Sequence, residues 1–246
     1  MVRADRQFAT DLAQIRSAAR LIDAGIHRTP VLTSRLLNEM TGLNLHFKCE
    51  NFQKIGAFKI RGATYAIQCL TPEEKKRGVV THSSGNHAQA LALAAKHADV
   101  EAHIVMPSNS PIVKKNAVLD YGAHVYDCEP TLEARETTAM ALVEKFGAVL
   151  IPPYDDARVI TGQGTLGLEI HEQVPNMDVA LIPIGGGGLC AGTTLALHEL
   201  DPSVSVFGVE LAGADDALRS KLAGYLIPQT NPQTVADGLR TSMGNL

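Results

Sequence analysis

The amino-acid sequence predicts an α/β fold in which helices cover both faces of parallel β-sheets. Short apolar segments, typical of buried strands, alternate with longer segments whose apolar residues recur at helical spacing. This alternation favours parallel strands, because a helix must carry the chain back across the sheet from one strand to the next. A chain of 246 residues, 45% of them hydrophobic, is also long enough to bury a substantial core.

The N-terminal part of the chain predicts two helices with one strand between them. Apolar residues at helical spacing indicate a helix over residues 10–24 and another over residues 58–70. Residues 43–50 alternate strictly between apolar and polar side chains, which is typical of a strand with one face in water.

The remaining sequence predicts two series of alternating helices and strands. In the first series the strands cover residues 78–82, 102–106, 124–126 and 149–151, and the helices cover residues 86–97, 111–121 and 131–146. In the second series the helices cover residues 164–173, 189–200 and 214–224, and the strands cover residues 179–183 and 204–210. No low-complexity linker or internal repeat separates the two series.

The composition argues against several classes of function. The net charge is −4 and no run of Lys and Arg stands out, so we expect no nucleic-acid partner. No apolar run is long enough to cross a bilayer, and the N-terminus lacks the apolar core of a signal peptide. These features predict a cytoplasmic protein without a membrane partner. The four cysteines occur singly, without metal or redox spacing, and we interpret them as reduced thiols.

One lysine lies in a segment that suits imine chemistry. Lys59 is surrounded in residues 56–63 by glycine, alanine and other apolar residues, apart from Arg61. A lysine that forms an imine with an aldehyde must be unprotonated, and apolar surroundings lower its pKa by desolvation. The alternative is a solvated lysine on a helix surface, and the apolar flanks argue against it.

A run of four glycines, Gly185, Gly186, Gly187 and Gly188, predicts a phosphate site. The run follows an apolar strand pattern and precedes a helical one, so its backbone amides can surround a phosphate at a helix N-terminus. A flexible turn is the simplest alternative. A dinucleotide site is disfavoured because no Gly-x-Gly-x-x-Gly pattern is followed about 20 residues later by a suitable acid at a strand end, although Glu210 lies at roughly that distance after the glycine run. Together with Lys59, the glycines predict a pyridoxal 5'-phosphate enzyme.

The chain resembles the serine racemase and serine/threonine dehydratase family of fold type II pyridoxal phosphate enzymes, whose fold is that of the tryptophan synthase β subunit. The resemblance runs from about Ile26 to the last residue and rests on six segments. These are residues 47–53, 56–63, 81–87, 162–165, 185–188 and 236–238. It implies a small domain, residues 78–152, inserted in a larger one formed by residues 1–77 and 153–246, with the cofactor in the cleft between them.

The resemblance assigns roles to the loop Ser83-Ser84-Gly85-Asn86-His87, which could otherwise be an ordinary helix-capping loop. It implies that Asn86 contacts the ring oxygen of the cofactor and that Ser83, Ser84, Asn86 and His87 hold the substrate. Phe58 is implied to pack beside the cofactor ring. Free amides at the start of the following helix suit a substrate carboxylate.

The resemblance also implies two catalytic residues on opposite faces of the cofactor. Lys59 removes the α-proton, and Ser84 exchanges a proton from the other face, as racemisation requires. Arg135 and Ser242 match further substrate contacts of the family, although Arg135 could equally be an exposed helix residue. Tyr154 stands where mammalian serine racemases have Asn, and here the chain looks more like the dehydratases.

Two further sites are implied. Glu210, the carbonyl of Ala214 and Asp216 match a divalent-cation site suited to Mg²⁺, or to Ca²⁺ or Mn²⁺, while the alternative is an acidic helix N-terminus. Eukaryotic racemases also bind ATP at a dimer interface, so ATP is a candidate effector and a homodimer is expected. Four residues match that nucleotide site: Ser34, Lys54, Gln89 and Tyr121. Two others, Arg35 and Ile55, do not match.

The expected function is a serine/threonine dehydratase with serine racemase activity, acting on small amino acids. After Lys59 removes the α-proton, the substrate either loses its β-hydroxyl or is reprotonated from Ser84. Hydroxyaspartate ammonia-lyase activity and a catalytically inactive amino-acid-binding fragment are the alternatives. Cysteine synthases are disfavoured, because their Thr-Ser-Gly-Asn-Thr loop is Ser-Ser-Gly-Asn-His here.

The resemblance stops short at the C-terminus. Family members continue for roughly another third of this length, on the scale of a small domain. That part carries the Ser or Thr that hydrogen-bonds the pyridine nitrogen. We therefore expect residues 1–246 alone to bind the cofactor weakly and to show little turnover.

Overall fold

The computed structural model describes residues 9–244, which form ten α-helices and eight β-strands. The helices are α1 (Leu12–Ile22), α2 (Arg35–Thr41), α3 (Lys59–Gln68), α4 (Pro72–Arg77), α5 (Asn86–His97), α6 (Ile112–Asp120), α7 (Leu132–Phe146), α8 (Ala157–Gln173), α9 (Gly188–Leu200) and α10 (Asp216–Ala223). The strands are β1 (Val31–Thr33), β2 (His46–Lys48), β3 (Val79–His82), β4 (Ala102–Pro107), β5 (His124–Cys128), β6 (Val149–Leu150), β7 (Val179–Pro183) and β8 (Ser205–Val209).

Parallel sheets form the framework and confirm the predicted α/β class. Four strands pair in the order β5–β4–β3–β6, and β7 pairs with β8. Because side chains alternate along a strand, the four-stranded sheet buries both faces. Val79 and Ile104 pack with α3 and α5 on one face, while Val80 and Val105 pack against α7 on the other. The loops after β3 and β7 leave the carboxyl ends of their strands, where ligands bind in such sheets.

The predicted strand over residues 43–50 is wrong in extent. Only β2 is extended, and it pairs antiparallel with β1, which the sequence pattern did not reveal. The strand is short at both ends for local reasons. The left-handed Gly42 closes α2 just before it, and Glu50 starts a 3₁₀ turn directly after it while its carboxylate binds Arg61.

Helix α8 begins at Ala157, seven residues before the predicted start at residue 164. Asp156 caps it by accepting hydrogen bonds from the amides of Arg158 and Val159. Gly162 lies inside this helix, where a glycine is usually unfavourable. In the fold the glycine allows a close helix crossing, because a Cβ atom there would lie 2.6 Å from the Cα of Gly62 on α3.

The short helices α2 and α4 were also missed, although each has a readable start signal. Ser34 caps α2 by accepting a hydrogen bond from the amide of Leu37. At α4, Thr71 and Glu74 form a reciprocal capping box ahead of the helix. Both helices are too short for apolar periodicity to show, so only their caps could have predicted them.

The largest buried apolar cluster joins α3 and α5 to the four-stranded sheet. It includes Ile60 and Ile67 of α3, Leu91 of α5, and Ile104 of β4. The cluster therefore extends across residue 77, where the resemblance places a domain boundary. In the part of the chain that the structure describes, no helix has the length and hydrophobicity needed to cross a membrane.

Candidate active site

Lys59 is the first residue of α3, and its side chain is partly buried. Its Nζ atom donates a hydrogen bond to the carbonyl oxygen of Pro153 at 2.6 Å. Desolvation by the surrounding protein lowers the pKa of the Lys59 ammonium to about 8. The neutral amine that attacks an aldehyde is therefore reached at a lower pH than for an ordinary lysine.

The glycine run forms the loop between β7 and α9. Gly187 has a φ of +92° and precedes α9 without any side-chain cap, so the first amides of α9 lack intrahelical acceptors. A helix N-terminus with open amides and a positive dipole end suits a phosphate group. Tyr154 packs so closely on Gly186 that no side chain fits at that glycine.

Tyr154 brings the lysine and the glycine loop together. Its ring centre lies 5.7 Å from Nζ of Lys59, and the ring of Phe58 lies 5.4 Å from the same atom. The adjacent residue, Pro153, supplies the carbonyl that holds Nζ. One short segment thus touches the amine on one side and the candidate phosphate loop, at Gly186, on the other.

The loop of residues 83–87 lies at the carboxyl end of β3 and leads into α5, which starts at Asn86. No side chain caps α5, so its first amides also lack helical partners. The amide of Gly85 donates to Oγ of Ser83 at 3.2 Å, and the side chain of Ser84 is exposed. This loop offers a second set of amides beside the lysine-bearing helix.

His87 is buried at the base of this loop and is held neutral. Its Nε2 atom donates to the carbonyl of Ile151 at 3.1 Å, which leaves Nδ1 as an acceptor with no partner among residues 9–244. Burial, with a smaller contribution from the positive charge of Lys59, lowers the pKa of His87 to about 3. An unpartnered buried acceptor next to Lys59 fits a site that takes a polar ligand.

Arg135 and Ser242 approach the site from two other segments. Burial lowers the pKa of His82, at the end of β3, and the nearby charge of Arg135 lowers it further. The charge of Arg135, on α7, therefore acts on the end of β3, which leads into the 83–87 loop. The hydroxyl of Ser242 accepts from the amide of Gln229 at 3.0 Å, and Gly244 donates to the carbonyl of Gly186. The C-terminal segment thus borders the glycine loop.

The residues present fit pyridoxal phosphate. The cofactor requires an amine of lowered pKa, a phosphate site and a surface for its ring. Lys59 supplies the first, the amides after Gly187 supply the second, and the rings of Phe58 and Tyr154 flank the amine.

The candidate metal residues lie around the start of α10, and the candidate nucleotide residues are spread over four elements. Glu210 accepts from the first amides of α10, those of Ala217 and Leu218. Asp216 is buried and accepts from the amide of Met243 at 2.8 Å, and Ala214 is buried beside it. Of the nucleotide candidates, Ser34 caps α2, Lys54 starts a 3₁₀ turn, Gln89 is on α5, and Tyr121 follows α6.

A buried ionic network behind Lys59 escaped the sequence analysis. Arg61, with no exposed surface, binds Glu50 at 2.8 Å and Glu169 at 2.7 Å, and Lys48 also binds Glu169. Burial opposes the charge of Glu169, but hydrogen bonds and charges from Arg61 and Lys48 hold its pKa below the usual range. Glu50 and Arg61 lie in the motif segments, whereas nothing in the sequence pairs them with a residue on α8.

Comparison with known proteins agrees with this geometry. Residues 22–246 match the family model of the pyridoxal-phosphate dependent enzymes. The serine racemase of Dictyostelium discoideum is 49% identical over 237 residues, which cover 96% of this chain and 73% of that protein. The structure of maize serine racemase matches with a TM-score of 0.94 and 47% identity, covering 96% of this chain and 72% of that one.

A solved threonine deaminase is similar as well. This deaminase, from T.th., matches with a TM-score of 0.90 and 44% identity, over 96% of this chain and 77% of its own. The matches extend over both the lysine-bearing and the glycine-bearing parts of the chain. The chain belongs to the family of pyridoxal-phosphate dependent enzymes.

Proposed function

We propose that this protein is a pyridoxal-phosphate-dependent serine/threonine ammonia-lyase with serine racemase activity. The observation that carries the proposal is the position of Lys59, whose amine lies between two aromatic rings and close to the residues that contact the glycine loop. The similarity to serine racemases and to threonine deaminase supports small β-hydroxy amino acids as substrates.

Pyridoxal phosphate, when bound, withdraws electrons from the substrate and makes its Cα proton acidic. The chain positions and moves the other groups. The amides at the start of α9 bind the phosphate, and those at the start of α5, with Ser83, Asn86 and His87, bind the amino acid. Lys59, whose pKa is lowered to about 8, accepts the Cα proton from one side.

Ser84 decides between the two outcomes. Elimination of the β-hydroxyl needs only the lysine side, whereas inversion at Cα needs a proton from the opposite side. The exposed hydroxyl of Ser84, on the loop before α5, supplies that proton. Arg135 and Ser242 complete the substrate site from α7 and from the C-terminal segment.

The function is tested by incubating the protein and pyridoxal phosphate with L-serine. We expect a yellow protein that forms a 2-oxo acid, ammonia and D-serine. Turnover of hydroxyaspartate in preference to serine or threonine would favour the ammonia-lyase alternative. A protein that binds serine and releases no product would contradict the proposed activity.

Ser84→Ala is expected to reduce racemisation of serine by about 10²- to 10⁴-fold and elimination far less, because only racemisation requires a proton donor opposite Lys59. Formation of D-serine and of 2-oxo acid should be measured in parallel. The matched control is Ser83→Ala, which removes a substrate contact and should lower both activities together. An equal loss of both activities in the Ser84 variant would count against its role.

We also propose that Glu210, the Ala214 carbonyl and Asp216 bind Mg²⁺, with Ca²⁺ or Mn²⁺ as substitutes. The two acidic residues flank the start of α10, and Asp216 also holds the segment of Ser242 through the amide of Met243. Such oxygen ligands suit these cations. An ion here would couple α10 to the segment that borders the glycine loop.

Chelation is expected to lower the melting temperature, because an ion that binds the native state stabilises it by mass action. Asp216→Asn should lower the melting temperature similarly and abolish the effect of chelator. Asp215→Asn is the matched control: it alters a neighbouring carboxylate that pairs with Arg219 and should leave the chelator effect intact. If the melting temperature is the same with and without Mg²⁺, the metal site is refuted, and Glu210 only caps the start of α10.

The remaining proposals concern assembly and location. Exposed apolar residues occur on β1, on α2, on β2 and in the loop between α2 and β2, and such a patch supports a homodimer: Leu32, Leu36, Met40, Leu43 and Phe47. Ser34 lies at this patch, and we propose that it binds ATP as an effector together with Lys54, Gln89 and Tyr121.

The four free cysteines support a reducing cytoplasmic location. The small domain is proposed to comprise residues 78–152.

A further inference from the structure

One ion pair connects the two loops of the candidate active site. Lys114, on the first turn of α6, donates from Nζ to Oδ2 of Asp237 at 2.6 Å, across 123 positions of sequence. Asp237 begins the 3₁₀ turn Asp237–Leu239, and the hydrogen bond from Lys114 holds the pKa of its carboxyl below the usual range. The pair thus joins α6 to the C-terminal segment.

On one side of the pair, Lys114 lies against the substrate loop. A Cβ atom on Gly85 would be 3.2 Å from Nζ of Lys114 and 3.4 Å from its Cδ. Gly85 immediately precedes α5 and the amides that face the amino acid in the proposed function. The Lys114 side chain therefore packs directly on the backbone of that loop.

On the other side, the turn that carries Asp237 lies against the glycine loop. A Cβ atom on Gly185 would be 3.3 Å from the carbonyl oxygen of Gly238 and 3.5 Å from a methyl group of Leu239. A continuous set of contacts therefore runs from Gly85 through Lys114 and Asp237 to Gly185. It links the loop of the substrate to the loop of the phosphate.

We propose that Lys114 and Asp237 are positioning residues that hold the substrate loop and the glycine loop at the separation needed for amino-acid binding. We name Lys114 and Asp237 the loop-bridging pair. The proposal rests on the proposed function, since it assigns the amino acid to the Gly85 loop. A bound amino acid must contact both the 83–87 loop and the cofactor held at the glycine loop. Variation in the distance between these loops therefore weakens amino-acid binding.

The chain offers a matched control on the same helix. Lys115 binds Asp127 of β5 at 2.6 Å, with similarly exposed side chains, but this pair joins α6 only to its neighbouring strand. Removing either pair costs the protein one surface ion pair. Of these two ion pairs, only the loop-bridging pair connects the two loops. If each pair served only to stabilise the fold, removing either one should have the same effect on the protein.

The kinetic test compares Lys114→Gln, Asp237→Asn and Lys115→Gln with the parent protein. We expect each change in the loop-bridging pair to raise KM for serine about two- to five-fold, the range of an exposed ion pair, with little change in kcat. The charge exchange Lys114→Asp with Asp237→Lys should recover most of the lost affinity, and Lys115→Gln should have no effect. A lower KM in Asp237→Asn would instead mean that Lys114 attracts the substrate directly, and it would overturn the proposal.

A second measurement does not depend on turnover. Hydrogen exchange of the backbone amides in residues 83–87 and 185–188 should become faster in Lys114→Gln and Asp237→Asn, and unchanged in Lys115→Gln. If the parent protein lacks activity on amino acids, the proposed function fails while this experiment still tests the connection between the loops. Equal exchange in all the variants would overturn the proposal.

Discussion

Lys59→Ala is expected to abolish racemisation and elimination, a loss of at least about 10³-fold, because both reactions begin with transfer of the Cα proton to the amine of Lys59. The variant should also lose the visible absorbance that pyridoxal phosphate acquires on linkage to a lysine. The amine of Lys59 is the one whose pKa is brought down to about 8 by desolvation. Absorbance spectra and product formation from serine measure the two losses independently.

Lys59→Arg is the matched control for this prediction. It keeps a positive charge beside Phe58 and Tyr154, but a guanidinium is not nucleophilic at any pH that the fold survives. It should therefore be as inactive as the alanine variant, which shows that the amine and not the charge is required. Retention of the visible band and of turnover in either variant would refute the assignment.

Glu169→Ala is expected to lower the free energy of unfolding by about 3–5 kcal/mol, because it leaves the buried charge of Lys48 without its carboxylate and that of Arg61 with Glu50 as its remaining carboxylate partner. The carboxylate of Glu169 binds both Arg61 and Lys48, and the Arg61 side chain has no exposed surface. Arg61 lies two residues after Lys59 on α3, so loosening of this network should also weaken the hold on the amine. Denaturant unfolding measures the first effect, and cofactor titration measures the second.

The matched control is Glu172→Ala on the same helix. Glu172 pairs with Arg28, and the two side chains are 61% and 54% exposed. Loss of such an exposed pair should cost less than about 1 kcal/mol. Equal destabilisation by the two variants would show that the buried network contributes no more than a surface pair.

The network also makes stability depend on pH. Since the pKa of Glu169 is depressed in the folded protein, its stabilising contribution is complete at neutral pH. That contribution is lost as the pH falls below about 4.3, the ordinary carboxyl value, and through the lower value of the folded state. The loss should be smaller in Glu169→Ala than in the parent protein.

Much of the fold could be predicted from sequence, because its long helices and buried strands carry clear periodicity. The helices α5 and α7 and the strand β7 lie close to the predicted ranges. The misses occurred where another effect outweighs periodicity. Gly162 is usually unfavourable inside a helix, but here it allows α3 to pack closely against α8. Strand β1 is too short for its sequence pattern to show, and it is recognised only by its pairing with β2.

Sequence alone was sufficient for the chemistry of single residues. A lysine among apolar neighbours and four glycines between a strand and a helix predict an amine and a phosphate site, because both properties arise from adjacent residues. The family follows from the same segments. The roles of Ser84, Arg135 and Ser242 are still predictions, since they depend on a bound substrate.

Only the tertiary structure determined which groups meet. Nζ of Lys59 reaches the carbonyl of Pro153, 94 positions away, and Arg61 reaches Glu169, 108 positions away. Lys114 reaches Asp237 from an even more distant segment. Such pairings depend on how helices and loops pack against one another. No local pattern encodes them, because the partners lie far apart in the sequence and only the fold brings them together.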